Sequence, residues 1–176
     1  MPLLVLLGGA RSGKSRLAVE LALEAVAPVT FLATGEARDP EMEARIEAHR
    51  AERPADWAVV EEPYALTEAI AAAPSGQTLL VDCLSLWVAN ALEAGDPPAA
   101  IEVEAAAAAN EAAARTALTI VVSNEVGLGI VPVSELGRVY RDVLGIVNRI
   151  FVDASDEAAL VVAGRRLDLS PGAPRV

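Results

Sequence analysis

The residues with the clearest chemical potential form a short glycine-containing segment near the start of the chain. Residues 8–15 read Gly-Gly-Ala-Arg-Ser-Gly-Lys-Ser and fit the pattern G-x-x-x-x-G-K-[ST]. Glycines let the backbone curl so that its N–H groups point at phosphate oxygens, while the lysine reaches the β- and γ-phosphates and the final hydroxyl ligates Mg²⁺. We therefore predict a nucleoside triphosphate site, with Arg11 either on a phosphate or solvated. The predicted nucleotide contacts are Gly8, Gly9, Ala10, Arg11, Ser12, Gly13, Lys14 and Ser15.

A carboxylate follows a later apolar run. Asp82 ends residues 78–82, which read Thr-Leu-Leu-Val-Asp. In phosphate-loop enzymes an acid after a hydrophobic strand holds Mg²⁺ or its waters, and the carboxyl edge of an open α/β sheet is where ligands bind. We predict that Asp82 and Ser15 hold the metal; the alternative is that Asp82 caps the helix beginning near Leu84.

Three basic or titratable residues share one face of a predicted helix. Arg45, His49 and Arg53 are spaced by four residues in a chain that is otherwise strongly acidic. A neutral histidine can attack phosphorus, and guanidinium groups beside it would hold phosphates. The spacing alone favours the alternative, a solvated face with a Glu41–Arg45 pair, so it does not by itself identify a nucleophile.

A glycine-containing loop follows another predicted strand. Residues 124–132 leave the carboxyl end of that strand, so Asn124 and Glu125 are candidates for facing a substrate. Gly127 and Gly129 would permit close approach or movement. The alternative is a structural turn into the next helix.

The elements that must position these residues alternate between strands and helices. Apolar runs predict strands at 3–7, 29–33, 57–61, 78–82 and 118–123, and a hairpin at 160–163 and 166–169. Helical spacing and cap residues predict helices at 14–26, 39–53, 64–73, 84–94, an Ala-rich stretch to about 116, and 134–152. This alternation predicts a three-layer α/β fold, with a mainly parallel sheet, helices on both faces and a single domain over residues 1–176.

Composition narrows the classes of partner. The net charge is −11, which disfavours a nucleic-acid binder, and Lys14 is the only lysine. The single cysteine excludes an intramolecular disulfide and makes a cysteine-based zinc site unexpected. No apolar stretch approaches transmembrane length, and the first residues lack the basic region of a signal peptide, so we expect a cytoplasmic protein.

Taken together, the motifs resemble one family. They are residues 8–16, Ala33-Thr34 with 39–54, 81–90, 123–132 with 137–142 and Asn148, and 160–164. Collinear over nearly the whole chain, they resemble the bifunctional adenosylcobinamide kinase / adenosylcobinamide-phosphate guanylyltransferase family of cobalamin biosynthesis. The resemblance implies a RecA-like P-loop fold, a homotrimer and two reactions. In the first, the aminopropanol hydroxyl of adenosylcobinamide takes a phosphoryl group from ATP or GTP; in the second, adenosylcobinamide phosphate takes GMP from GTP through a guanylylated histidine.

The resemblance also implies roles for individual residues. His49 occupies the position of the family's histidine nucleophile, so with Lys14 and Asp82 it completes the expected catalytic set. Asp82 would serve the metal or act as a base. Further nucleotide contacts are implied at Glu36, Arg50, Ala51, Glu52, Arg53 and Glu62.

Two other functions compete with this interpretation. A single-activity P-loop kinase would consume the γ-phosphate of a nucleotide but would never retain GMP. A nucleotide-gated binding module would hydrolyse nucleotide without phosphorylating a small molecule. Neither needs a titratable nucleophile beside the nucleotide, so the segment around His49 argues against both.

Overall fold

The computed structural model describes residues 3–25, 27–37, 40, 44, 47, 50 and 54–169. Within them, the strands are β1 (Leu3–Gly8), β2 (Val29–Ala33), β3 (Ala58–Glu61), β4 (Thr78–Asp82), β5 (Thr119–Asn124), β6 (Glu157–Val162) and β7 (Arg165–Asp168). The helices are α1 (Lys14–Glu24), α2 (Leu66–Ala72), α3 (Leu84–Ala94), α4 (Pro98–Ala114) and α5 (Glu135–Ala154).

One sheet contains all of these strands, in the order β3-β2-β4-β5-β1-β6-β7. Every neighbouring pair is parallel except the β6–β7 hairpin. The register pairs Gly8 with Asn124 and Ala33 with Asp82. Because parallel strands end at the same edge, the residues predicted to do chemistry after β1, β4 and β5 lie along one border of the sheet.

The central strands are buried on both faces. In β1, Leu3, Val5 and Leu7 point to the face covered by α2, α3, α4 and α5, while Leu4 and Leu6 point to the face covered by α1. Continuous apolar runs are expected of parallel strands enclosed in this way, since alternate side chains face opposite layers. None of the helices in the described part of the chain combines the length and apolarity that a membrane span requires.

Most predicted elements form, and the differences lie at their ends. The helix predicted at 64–73 begins at Leu66, because a carboxylate oxygen of Glu62 accepts the N–H groups of Tyr64 and Ala65 and holds them in a turn. The first strand of the hairpin begins at Glu157, three residues before the prediction, because it pairs with β1 from there. Of the helix predicted at 39–53, Pro40, Ala44, Glu47 and Arg50 are helical, and the other residues lie outside the described part of the chain.

The buried guanidinium of Arg115 connects α2 with the beginning of β4 and β5, at the edge of the sheet opposite the phosphate loop. Arg115 directly follows α4, and only 9% of it is exposed. Its N–H groups donate to one hydroxyl and four carbonyl oxygens: Thr119 Oγ1, Ile70 O, Ala73 O, Pro74 O and Gln77 O. Burial lowers the pKa of Arg115. These carbonyls belong to the end of α2 and to the turn before β4, so one side chain connects the two. It adds a second donor to Ile70 O and Pro74 O, which also accept from the N–H groups of Ala73 and Gln77.

Replacing Arg115 by alanine should reduce the free energy of unfolding by about 3 kcal/mol, because buried carbonyl oxygens would lose charged donors. Urea unfolding followed by circular dichroism measures this. The matched control is Arg16→Ala on α1, which removes an exposed pair with Glu20 and should change stability by less than about 0.5 kcal/mol. Equal stability losses in the two variants would contradict the assigned role of Arg115.

Candidate phosphate and magnesium site

The loop between β1 and α1 forms a closed turn around one carbonyl. Gly9 O accepts from the backbone N–H of Ser12 and from Lys14 Nζ, both at 3.2 Å. Gly13 has φ 96°, a left-handed conformation that favours glycine, and it immediately precedes α1. The lysine ammonium is therefore held over the loop at the positive end of the helix, an arrangement suited to an anion.

Gly8 has no room for a side chain. A methyl carbon there would lie 2.6 Å from Ser12 Oγ and 2.6 Å from the carbonyl oxygen of Val161 in β6. The turn of the hairpin closes on the same loop, since the N–H of Gly164 donates to Ser12 O at 2.9 Å. The phosphate loop is therefore fixed by its own sequence and by a strand more than 140 residues later.

The remaining loop residues differ in exposure. Gly9, Ala10 and Arg11 are exposed, whereas Ser12 and Lys14 are buried and Ser15 is half-buried. Arg11 has φ 56°, an unusual conformation for a residue with a side chain.

Asp82 lies at the end of β4, beside the end of β2, and its neighbours hold it through the backbone. The N–H of Thr34 donates to Asp82 O at 3.2 Å. Thr34 Oγ1 then accepts from the N–H of Cys83 at 2.8 Å and donates to Cys83 O at 2.7 Å. The N-cap of α3 is Cys83 and has no side-chain cap, so the alternative that Asp82 caps this helix is wrong.

The thiol next to Asp82 is buried and unreactive. Burial, with the charge of Asp82 adding to it, raises the pKa of Cys83 to about 11. Its Sγ lies 2.8 Å from Ser85 Oγ in the first turn of α3. At neutral pH the group is therefore a neutral thiol, which is a much weaker nucleophile than a thiolate.

Ser85 also connects the ends of β4 and β5. Its hydroxyl oxygen accepts from Asn124 Nδ2 at 3.0 Å, and its carbonyl accepts from the hydroxyl of Tyr140 at 3.2 Å. Asn148 Nδ2 on α5 donates to Asn124 O at 3.0 Å. Burial, and then the nearby Cys83, raise the pKa of Tyr140 to about 12, so it stays a donor at neutral pH.

Asn124 and Glu125 were predicted to face substrate, and both have structural contacts here. The side chain of Asn124 contacts Ser85, while the N–H of Glu125 donates to Gly8 O at 3.0 Å. Glu125 Oε1 accepts from the N–H of Gly127 at 2.6 Å and forms a turn. These contacts favour the structural alternative for both side chains in this conformation, and they attach the loop after β5 to the phosphate loop.

The other predicted nucleotide residues lie on the side of β2 and β3. Tyr64 donates its hydroxyl to Glu36 Oε2 at 3.0 Å, and Glu62 caps the turn before α2. Arg50 donates to Glu47 and to Glu61, each at 2.6 Å, and its hydrogen bond to Glu61 is the main cause that raises its pKa.

His49, Arg45, Ala51, Glu52 and Arg53 lie outside the described residues. The histidine assignment therefore stays a prediction, as do the nucleotide contacts of residues 51 to 53.

The two side chains that could hold Mg²⁺ both offer oxygen atoms, the ligands that this ion prefers. Ser15 lies in the first turn of α1, which packs on β4, and Asp82 ends that strand. Within the described part of the chain no group of three or more acidic, histidine or cysteine side chains could enclose a metal. Mg²⁺ typically takes one or two protein oxygens and completes its shell with phosphates and water, so this sparse set is adequate for a nucleotide-bound ion.

Sequence reasoning missed the residues that hold Asp82 in place. Thr34 is fully buried, and Asn90 Nδ2 on α3 donates to its carbonyl at 2.8 Å. A polar residue at the exit of one strand and an asparagine within a mainly apolar helix are the signals that could have identified them. Neither signal reveals its partner, because the contacts join residues about fifty positions apart.

Replacing Gly8 by alanine should weaken ATP and GTP binding at least about tenfold, because the new methyl group displaces Ser12 or the loop backbone. Fluorescence titration with a labelled nucleotide measures this. The matched control is Gly145→Ala on α5, where an added carbon meets no atom within 4 Å. We expect that control to keep its nucleotide affinity and to gain up to about 1 kcal/mol of stability. Equal affinities in both variants would show that the fit around Gly8 does not matter for binding.

Known proteins are similar to this chain over nearly its whole length, and not only in the phosphate loop. The protein is 43% identical to the bifunctional adenosylcobalamin biosynthesis protein CobP of Pseudomonas aeruginosa, over 94% of this chain and 95% of that one. It is 37% identical to CobU of Escherichia coli and 38% identical to CobU of Salmonella typhimurium, in each case over 92% of this chain and 96% of the relative.

A solved structure supports the fold. An ATPase from a bacterial type III secretion system superposes with a TM-score of 0.51 and 15% identity, over 90% of this chain. The chain spans 50% of the length of that structure. This likeness and the seven-stranded, mostly parallel sheet confirm the predicted α/β fold class.

Residues 4–169 match the family described as cobinamide kinase / cobinamide phosphate guanyltransferase. The match covers the phosphate loop, the strand that ends in Asp82, the loop after β5 and the hairpin. With three relatives aligned over nearly their full lengths, the chain belongs to the cobinamide kinase / cobinamide phosphate guanyltransferase family.

Proposed function

We propose that this protein phosphorylates the aminopropanol hydroxyl of adenosylcobinamide and then converts the product to adenosylcobinamide-GDP. The observation that carries this proposal is the match of residues 4–169 to a family named for both activities. The cradle formed by Gly8, Lys14 and the start of α1 supplies the anion site that both reactions need.

In the first reaction, the cradle holds the triphosphate of ATP or GTP. The substrate hydroxyl attacks the γ-phosphorus, its oxygen forms the new P–O bond, and the nucleoside diphosphate leaves. Lys14 offsets charge on the phosphates, and Asp82 either accepts the hydroxyl proton or holds the metal. Bound Mg²⁺ would neutralise phosphate charge, with Ser15 and Asp82 as its protein ligands.

In the second reaction, a nitrogen of the His49 imidazole attacks the α-phosphorus of GTP and pyrophosphate leaves. An oxygen of adenosylcobinamide phosphate then attacks the same phosphorus, which forms the diphosphate and frees the histidine. A neutral imidazole suits this role because it is a nucleophile at neutral pH and a good leaving group once protonated.

The nucleotide would also contact residues beside β2 and β3. We assign this role to Glu36, Glu62 and the segment Arg50, Ala51, Glu52 and Arg53. Arg50 already has helical backbone and an exposed side chain, so a phosphate could replace Glu47 or Glu61 as its partner. Asn124 and Glu125 remain candidates for facing the substrate if their side chains leave their present contacts.

A labelled-nucleotide experiment tests the second reaction. Wild-type protein mixed with Mg²⁺ and α-labelled GTP should retain label after denaturation, and γ-labelled GTP should leave none. His49→Ala should reduce retained α-label by at least about a hundredfold, because the nucleophile is gone. Arg16→Ala, on the exposed side of α1, serves as the control and should label like wild type.

Label retained equally by His49→Ala and wild type would remove the histidine from the mechanism. Phosphorylated cobinamide without any retained GMP would favour the single-activity kinase. Hydrolysis without a phosphorylated product would favour the binding module.

We further infer that residues 1–176 act as one domain, in the cytoplasm, as a homotrimer like that implied by the family resemblance. Sedimentation equilibrium should then give a mass three times the 18.2 kDa of the chain. A mass equal to one chain at all concentrations would contradict the trimer.

A further inference from the structure

The loop after β5 presents an apolar surface beside the phosphate cradle. Residues 126–133, called the apolar loop below, read Val-Gly-Leu-Gly-Ile-Val-Pro-Val and contain no charged residue, in a chain of net charge −11. Leu128, Ile130 and Val133 are 83%, 96% and 98% exposed. Large aliphatic side chains that are almost fully exposed and adjacent in sequence mark a binding surface.

Hydrogen bonds attach both ends of the apolar loop to neighbouring segments. Before the loop, the N–H of Glu125 donates to Gly8 O at 3.0 Å, so its base adjoins the first residue of the cradle. After it, Arg138 Nη1 donates to Pro132 O at 3.2 Å and to Val133 O at 2.7 Å. Pro132 and the β-branched Ile130, Val131 and Val133 also restrict the second half of the loop, after its two glycines.

The other described connections at this edge of the sheet are different. Residues 34–37 read Thr-Gly-Glu-Ala, residues 62–65 read Glu-Pro-Tyr-Ala, and the hairpin turn is Ala163-Gly164. None of these described segments carries an exposed large aliphatic side chain. The apolar loop is therefore where an apolar ligand would find contact area next to the transferred phosphate.

We propose that the apolar loop binds the corrin macrocycle of the cobinamide substrate, an inference that rests on the proposed function. The reacting hydroxyl lies on a short arm, so the macrocycle must rest within about 10 Å of the γ-phosphate. Its faces carry methyl groups, which match Leu128 and Ile130, while its amide rim stays in water.

The size of the surface favours this occupant over a second copy of the chain. A stable protein–protein interface uses roughly 20 to 30 residues on each side. The apolar loop has eight residues, of which Val126 packs partly into the core. A patch of this size is too small to form such an interface by itself, whereas one face of a macrocycle needs only a few side chains.

The test uses the full-length chain with Leu128 and Ile130 both replaced by serine. Because both side chains are exposed, the variant should fold, which thermal unfolding checks. Steady-state kinase assays should show the KM for adenosylcobinamide raised about tenfold or more, with the KM for ATP unchanged. Retention of α-label from GTP alone, which needs no corrinoid, should equal that of wild type.

The matched control is Val103→Ser on α4, a valine that is 72% exposed, which should keep both KM values. Ile130→Ser alone should give a smaller increase in the KM for adenosylcobinamide. An unchanged KM in the double variant, with wild type active, overturns the inference alone. A lower sedimentation mass with an unchanged KM for adenosylcobinamide assigns the loop to contacts between copies and also overturns it. If wild type phosphorylates no cobinamide, the proposed function fails, and this inference fails with it.

Discussion

The phosphate cradle depends on the absence of a single side chain. At Gly8 the chain leaves β1 so close to Ser12 and to the backbone of β6 that no Cβ fits. This contact lets the loop fold back on itself while Gly164 donates to Ser12 O. Gly8 therefore contributes both to the packing of the sheet and to the shape of the anion-binding loop. The C-terminal hairpin supports that loop, although it contains no residue of the glycine-lysine motif.

A second constraint acts on the acidic residue two strands away. Thr34 accepts from and donates to the backbone of Cys83, and its own N–H donates to Asp82 O, so the chain on both sides of that peptide is held. Ser85 and Asn124 extend the connection to β5. Because buried polar networks of this kind allow few alternative arrangements, the backbone that carries Asp82 is held relative to the ends of β2 and β5.

The sequence predicted the parts of this site that are local. Apolar runs located the strands, and the glycine pattern located the cradle, because both depend on residues close in the chain. Contacts such as Thr34 with Cys83 span about fifty residues and depend on strand order, which no local pattern specifies. Glu62 was assigned to the nucleotide on resemblance, whereas here it caps the turn before α2. The role of His49 comes from resemblance alone, since that residue lies outside the described part of the chain.

The buried thiol has a practical consequence for spectroscopy. Cys83 is the only cysteine in the sequence, it is buried, and its pKa of about 11 leaves almost no thiolate at neutral pH. Maleimide and iodoacetamide reagents react with accessible thiolates, so Cys83 should react with them far more slowly than an exposed cysteine. A cysteine introduced at an exposed position such as Arg11 would be the only reactive thiol. Spin labels or fluorophores can then report on the nucleotide loop without prior removal of the native residue.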